Sequence, residues 1–228
     1  MPENGGMQTK LLYVGKEISP MSEDKMKMDG TEKDDVKGVD AMVGMGEEAG
    51  LKEEVILVDE KDNDVGTEEK LAAHQDGGRL HRAFSIFVFD ADGKMLLQQR
   101  AGHKYHCGGL WTNTCCSHPR PGESLEDAVH RKLKQELGFD TELKEILSFV
   151  YRAGFENGLT EHELDHVFVG RFDGEPKLNP EEVRDFKWVD VEWLKKDVQE
   201  NPDKYTPWFK IILERVMEWH KNNMDVKK

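Results

Sequence analysis

The chain has 228 residues, with 32 lysines and arginines against 46 aspartates and glutamates, so its formal net charge is −14. An acidic balance with no block of Lys and Arg excludes general DNA or RNA binding, which needs a basic face to neutralise phosphates. No run approaches the ~18 apolar residues that a spanning helix requires, and the N-terminus lacks the basic flank and apolar core of a signal peptide, so the expectation is a cytoplasmic protein without a membrane partner. Cys107, Cys115 and Cys116 form an odd set clustered within ten positions. That pattern fits reduced thiols or metal chemistry better than a disulfide framework.

Residues 1–50 hold seven of the ten methionines and eight of the 21 glycines, and only the short run Leu11 to Val14 is apolar. Such a segment is expected to be a disordered or weakly ordered acidic tail, with the folded domain occupying 51–228. Glu54 to Asp59 reads as a strand, Lys61 to Asp64 as a polar turn, and Thr67 to Leu71 as a short helical or loop segment leading to His74. His81 to Phe89 is aromatic and β-branched, and Asp90-Ala91-Asp92-Gly93 separates it from the KMLLQQR run, a hairpin signal. Residues 101–123 are rich in Gly, His, Cys, Asn and Pro, too irregular for a long element and too dense in reactive side chains for a plain linker.

Ser124 is a good N-cap, with Asp127 three residues on. Leu125, Val129, Leu133 and Leu137 then repeat every four positions before Gly138 closes the helix. Residues 146–152, 164–172 and 185–190 resemble strands, and Tyr205 to His220 carries Trp208, Ile211, Ile212, Val216 and Trp219 at helical spacing. Two helices and six or more strands predict an α+β sandwich in which helices cover a mixed sheet.

Within this frame, His74, His81, His118, Glu161 and Glu163 stand out. Taken singly, each is usually a solvated side chain. Glu161 and Glu163, two apart at the start of a strand, face the same way. Three imidazoles and two carboxylates are a donor set suited to zinc, manganese or magnesium. Cys116 lies in the run Thr112 to Pro119, where a metal-bound His and backbone donors can bias a thiol toward proton transfer. Two small buried hydrophobes are the plainer reading of Cys115 and Cys116.

The segment from Gly122 to Phe139 resembles a degraded Nudix box, G-x5-E-x7-R-E-U-x-E-E-x-G-U with U apolar. Glu123, Arg131, Leu133, Glu136, Gly138 and Phe139 match. The leading glycine falls on Ser117, and two helix glutamates are replaced by Lys132 and Gln135. Nudix hydrolases hold divalent ions against a diphosphate with that glutamate cluster. Retention of Glu136 alone disfavours diphosphate hydrolysis. Further runs at Lys70 to His74, Arg79 to Ser85, Leu110 to Pro119, Tyr151 to Ala153, Glu161 to Glu163 and Thr206 to Trp208 extend the resemblance over about residues 54–215. Together they resemble the type I isopentenyl-diphosphate isomerases.

That resemblance implies a Nudix-type α/β/α sandwich acting on a small prenyl diphosphate, moving a double bond between isopentenyl and dimethylallyl diphosphate through a tertiary carbocation. Two proton-transfer groups are needed on opposite faces of the hydrocarbon. The resemblance places Cys116 on one face and Glu163 on the other, with Tyr151 beside the glutamate and the indole of Trp208 toward the cation. Without the resemblance, Trp208 is helix-core packing. Lys70, Arg100, Lys104 and Ser117 are implied for the diphosphate. His74, His81, His118, Glu161 and Glu163 are implied for an inner divalent ion (Zn²⁺, Mn²⁺ or Mg²⁺), and Glu136 for a Mg²⁺ shared with the diphosphate. His103, His106, His130, His162, His166 and His220 are expected at the surface or behind the ligands, and His106 beside Cys107 as an adventitious zinc site at most. A nucleotide-type Nudix hydrolase and a noncatalytic Nudix-like binding module are the competing readings.

Overall fold

The structure is a computed structural model that describes residues 11–12, 17–18, 53–104 and 106–224. Apart from its two short strands, the expected tail of residues 1–50 lies outside the described residues. In chain order the strands are β1 (Leu11–Leu12), β2 (Glu17–Ile18), β3 (Glu54–Val58), β4 (Asp64–Glu69), β5 (His81–Phe89), β6 (Met95–Arg100), β7 (Trp111–Thr112), β8 (Cys115–Ser117), β9 (Leu143–Gly154), β10 (Thr160–Arg171) and β11 (Val183–Val189). The helices are α1 (Lys70–Ala73), α2 (Leu125–Leu137), α3 (Val191–Glu200) and α4 (Pro207–Met224), with a 3-10 turn at Pro202–Lys204.

Strand β5 is the spine. Along one edge it pairs in parallel with β10 over its whole length, from His81↔Glu163 to Phe89↔Arg171. Along the other edge three strands share it in succession: β3 at His81, β8 at Phe84 to Ile86, and β6 at Phe89. A central strand covered on both faces reads as a continuous apolar run, and β5 is buried at every position but Arg82. The outer strand β9 lies antiparallel to β10 and carries β1 and β2 on its far edge.

Alternation along β5 separates two cores. Phe84, Ile86 and Val88 pack with Ala128, Val129, Leu133 and Leu137 of α2. Phe87 and Phe89 pack with Trp208, Phe209, Ile212, Leu213 and Val216 of α4. The result is the expected mixed sheet between helices. Helix α2 begins and ends where its sequence signals lie: Ser124 Oγ accepts from the Asp127 N–H at 3.0 Å, and Gly138 closes the helix at φ 69°.

Two local expectations are corrected, at β4 and in the number of helices, and the expected β5–β6 hairpin forms but is short. Residues 67–69 extend β4 instead of coiling, because they pair with Glu54 to Ile56 of β3. The β5–β6 hairpin is joined at one pair only, Phe89↔Met95, after which β6 diverges to pair with β7 and β11. Helix α3 joins the two long helices that were expected. Its Asp190 cap and single fully buried residue, Leu194, make a weaker periodic signal than the faces of α2 and α4.

Candidate metal centre and reaction cavity

Register builds the site. Tyr151 of β9, Glu163 of β10 and His81 of β5 are directly opposite one another across three adjacent strands, so their side chains share one face. Glu161 lies two residues earlier on the same face, opposite Ala153. On the other side of β5, Ser85 pairs with Cys116 and Ile86 with Cys115. Adjacent thiols are thereby sent to opposite faces. Cys115 is fully buried in the α2 core, whereas Cys116 lines a cavity of about 110 Å³.

His74, His81, His118 and Glu163 present four ligand atoms within 4.8 Å of one another. The geometry fits a divalent ion. Nδ1 of His74 lies 2.6 Å from the Lys70 carbonyl oxygen and Nδ1 of His81 2.8 Å from that of Arg79. A carbonyl at Nδ1 fixes each ring so that its Nε2 faces inward, toward Glu161 for His74 and toward His118 and Glu163 for His81, the orientation metal-ligating histidines adopt. The Nε2 atoms of His81 and His118 are 3.2 Å apart, a spacing that needs a proton or a cation between two lone pairs. Burial drives the His118 imidazole down to about 4, which keeps it in the neutral form a metal requires.

Glu163 joins this cluster to Tyr151. Its Oε1 is 2.9 Å from His118 Nε2 and 3.5 Å from His81 Nε2, while its Oε2 accepts from the Tyr151 hydroxyl at 2.6 Å. Burial works against its charge, and so does neighbouring Glu161, but hydrogen bonds from His118 and His81 hold its carboxyl below the usual range. Burial and the charge of Glu163 push the Tyr151 phenol well up. The Cys116 thiol is also pushed up, chiefly by burial, with Arg100 opposing. The cavity therefore sets a carboxylate against two proton-bearing groups.

Glu161 is placed differently from Glu163. Its Oε2 lies 3.0 Å from His74 Nε2 and its Oε1 2.6 Å from His106 Nε2, and it stands outside the four-donor group. Although burial opposes it, these two imidazoles hold the Glu161 carboxyl well below its ordinary value. Of the two places expected for His106, the surface or behind the ligands, the structure has the second: its side chain is 8% exposed, engages Glu161 and not Cys107 in any pairing described above, and meets Trp208 edge-on at 6.0 Å. Its isolation from any apolar period hid it. His166 is likewise buried, held by Asp62 at 3.1 Å and Glu145 at 2.7 Å.

The remaining expected residues gather around the same cavity. Trp208, in the first turn of α4, donates its Nε1–H to Thr112 Oγ1 at 3.0 Å and faces the Arg100 guanidinium at 5.4 Å. Lys70, Arg100, Lys104 and Ser117 all line it, as does Glu136. Lys70 is paired with Glu53 at 2.9 Å and Lys104 with Glu182. Buried Lys132, at a position where the Nudix pattern has glutamate, lies 2.9 Å from Glu136. Burial opposes its charge, yet Glu136 and Glu182 hold its amine above the ordinary lysine value. Two pattern residues form a structural clasp: Arg131 donates through two nitrogens to Glu123, at 2.6 and 2.7 Å.

Comparison with known proteins sets this geometry in context. The NUDIX domain pattern matches residues 79–209. The chain is 56% identical over 167 residues to isopentenyl-diphosphate Delta-isomerase 2 of Aromatoleum aromaticum, covering 73% of this chain and 88% of that protein. It is 52% identical over 176 residues to isopentenyl-diphosphate Delta-isomerase 2 of Photorhabdus laumondii, covering 75% and 99%. The crystal structure of DR0079 from Deinococcus radiodurans superposes with a TM-score of 0.61 at 20% identity, over 72% of this chain and 98% of that one, a likeness of fold.

Proposed function

The chain belongs to the Nudix family and, within it, to the isopentenyl-diphosphate Delta-isomerases, and on that premise we propose that it interconverts isopentenyl and dimethylallyl diphosphate, as a cytoplasmic enzyme of isoprenoid biosynthesis. The observation that carries this reading is the pairing, in one cavity, of the Cys116 thiol with the Glu163 carboxylate and its Tyr151 partner. Moving a double bond one position adds a proton at the terminal carbon and removes one from the neighbouring methylene. It needs one proton-bearing and one proton-accepting group across the substrate, and groups whose environments push their pKa values apart meet that need.

In this reading Cys116 and Glu163 are the two proton-transfer groups and exchange roles with reaction direction. Tyr151 orients Glu163 through the 2.6 Å hydrogen bond. Trp208 turns its indole toward the carbon that becomes cationic, worth ~0.5–2 kcal/mol for a desolvated cation–π contact. The cavity's burial keeps water from capturing that cation as an alcohol. Lys70, Arg100, Lys104 and Ser117 bind the diphosphate. His74, His81, His118 and Glu163, with Glu161 beside His74, would hold the inner ion (Zn²⁺, Mn²⁺ or Mg²⁺), and Glu136 would be the carboxylate for a Mg²⁺ on the diphosphate side. When bound, these ions supply positive charge that lowers ligand pKa values and fixes ligand geometry.

A proton and phosphorus NMR time course in D₂O, with isopentenyl diphosphate, Mg²⁺ and a trace of Zn²⁺ or Mn²⁺, tests the proposal. Dimethylallyl signals with deuterium incorporated, and phosphorus resonances still those of a diphosphate ester, are expected. Release of inorganic phosphate would mean a hydrolase, and an unchanged substrate a binding module.

A further inference from the structure

A second cavity, of about 430 Å³, lies beside the reaction cavity of about 110 Å³, and Cys107, Leu110, Phe155, Tyr205 and Pro207 are among its walls. The proposed reaction makes no use of it. Among the described residues, only Lys104 and His106 line both cavities. Lys104 is drawn to the diphosphate end by its pair with Glu182, which leaves His106 as the shared wall at the hydrocarbon end. The His106 ring meets the Trp208 indole edge-on at 6.0 Å and the Phe155 ring at 5.3 Å, and its Nε2 stands 2.6 Å from Glu161 Oε1. One aromatic contact faces each compartment, since Trp208 lines the reaction cavity and Phe155 the second. The loop that carries His106 is closed at its base, where Arg100 N–H donates to the Leu110 carbonyl at 2.9 Å and Gly109 N–H to that of Arg100 at 3.1 Å. Within it Cys107 is held at φ 52°, a left-handed conformation that a residue other than glycine keeps only where its surroundings over-determine it.

We propose that His106 sets the upper limit on substrate length: its ring closes the reaction cavity off from the second one, which would otherwise take a further prenyl unit. The inference rests on the proposed reaction and adds to it one specificity-determining residue and a latent subsite. In that reaction the diphosphate is held among Lys70, Arg100, Lys104 and Ser117 and the reacting carbons lie at Trp208, so a longer hydrocarbon must continue past the indole, where His106 stands. Attraction alone cannot favour the short substrate. Each methylene added in an apolar pocket increases burial and hence affinity, so selection of the shorter chain needs an obstruction. Packed side chains supply one because protein interiors are as dense as organic crystals and yield little. A ring held by a carboxylate on one edge and by two aromatic neighbours therefore excludes a chain instead of making room for it. Behind it lies a compartment larger than the reaction cavity and walled in part by apolar and aromatic side chains, the character of a hydrocarbon site.

The test is binding, without turnover. Two saturated diphosphates, 3-methylbutyl and 3,7-dimethyloctyl, are titrated by isothermal calorimetry into protein preloaded with Zn²⁺ in excess Mg²⁺. The ratio of their affinities is read, so that a loss common to both cancels. Wild type, a measurement that needs no variant, is expected to favour the shorter diphosphate by at least about tenfold. In His106→Ala, checked for native circular dichroism and Zn²⁺ content, the ratio is expected to move toward the longer one by at least about tenfold, the order of one or two methylenes in an apolar pocket. His106→Phe keeps a ring and gives up the nitrogen that meets Glu161. It is expected to keep the wild-type preference, which separates the wall from the hydrogen bond. Adding Leu110→Trp to His106→Ala narrows the second cavity and should take back the gain. A wild type that binds both alike overturns the proposal, as does an unshifted ratio in His106→Ala, a full gain kept in the double variant, or a shift in His106→Phe as large as in His106→Ala. A wild type that binds neither diphosphate refutes the underlying reading and this inference with it, whereas failure to isomerise appears only in the NMR experiment and leaves the ratio as it is.

Discussion

At the scale of single residues, the pair Cys115 and Cys116 carries the sharpest expectation. The two side chains are neighbours in sequence and lie on opposite faces of β8, one in the α2 core and one in the cavity. Under the proposed assignment, Cys116→Ala lowers turnover by about 10²–10⁴, the usual worth of a general acid or base, and leaves metal content unchanged. Cys115→Ala costs about 1 kcal/mol of stability through lost core volume and leaves turnover near wild type. Steady-state kinetics beside metal analysis and denaturant unfolding separate the two; similar kinetic losses in both would refute the assignment. Glu163→Gln removes a charge that faces His118 and His81 as well as the Tyr151 partner. Its loss of turnover is expected to exceed its loss of bound metal, measured on the same sample.

At the scale of the element, α2 carries both stability and site. Its length is set by Ser124 at one end and Gly138 at the other, and both are testable. Ser124→Ala should cost about 1 kcal/mol, the loss of a capping hydrogen bond, with activity per folded molecule retained. Gly138→Ala should cost more. The residue sits at φ 69°, and an added Cβ would come within 2.7 Å of Lys177 Cβ and 2.8 Å of its carbonyl oxygen, where Lys177 N–H bonds the end of the helix at Leu137. Urea unfolding checks both, and equal midpoints for the two variants would contradict the argument. The helix also presents Lys132 and Glu136 to the cavity one turn apart. Lys132 and Glu136 stand on the same buried side of the helix as Ala128, Val129 and Leu133, so one side of α2 both packs on β5 and, under the proposed assignment, serves the diphosphate end of the cavity.

At the scale of the whole molecule, the sheet carries a charge network whose members do not line the reaction cavity. His166 is held between Asp62 and Glu145, and Asp62 also accepts from Arg82 at 2.7 Å, which ties the β3–β4 turn to β5, β9 and β10. Burial opposes the imidazolium, but its hydrogen bonds to these two carboxylates raise the His166 pKa to about 9 from an ordinary 6.5. A pKa raised in the folded state contributes stability that is complete below about 6.5 and is lost as pH rises toward 9. With Asp62 and Glu145 partly exposed, screening reduces the contribution to about 1–2 kcal/mol. Wild type is expected to lose that much between pH 6.5 and 9, and His166→Gln to show a flatter profile over the same window. Parallel profiles would count against it. The metal centre offers a second global test: four converging donors, three of them buried, should make chelation lower the thermal midpoint, with recovery on adding Zn²⁺ or Mn²⁺.

Much of this molecule is legible in one dimension, for local reasons. Helix α2 is bounded by its own cap residues, β5 is apolar because its length is covered on both faces, and Glu161 and Glu163 share a face because strands alternate. The Nudix and isomerase resemblance likewise rests on short runs of contiguous residues. Other features depend on pairing between distant segments. Strand β6 leaves β5 after one residue pair because β7 and β11 compete for its edges, which no turn signal between Asp90 and Gly93 reveals. The choice between Cys115 and Cys116 depends on β8 registering against Ser85 and Ile86, thirty residues back in the chain. His106 has no period or cap to mark it and becomes part of the site only where its loop meets Glu161. Lys132 is conspicuous in sequence as a broken motif, but the ammonium held between two carboxylates exists only because Glu182, fifty residues later, is folded back beside it. Local chemistry is set by residue type and spacing, whereas the coordination of a site is set by which strands and loops meet, and that is a property of the tertiary fold.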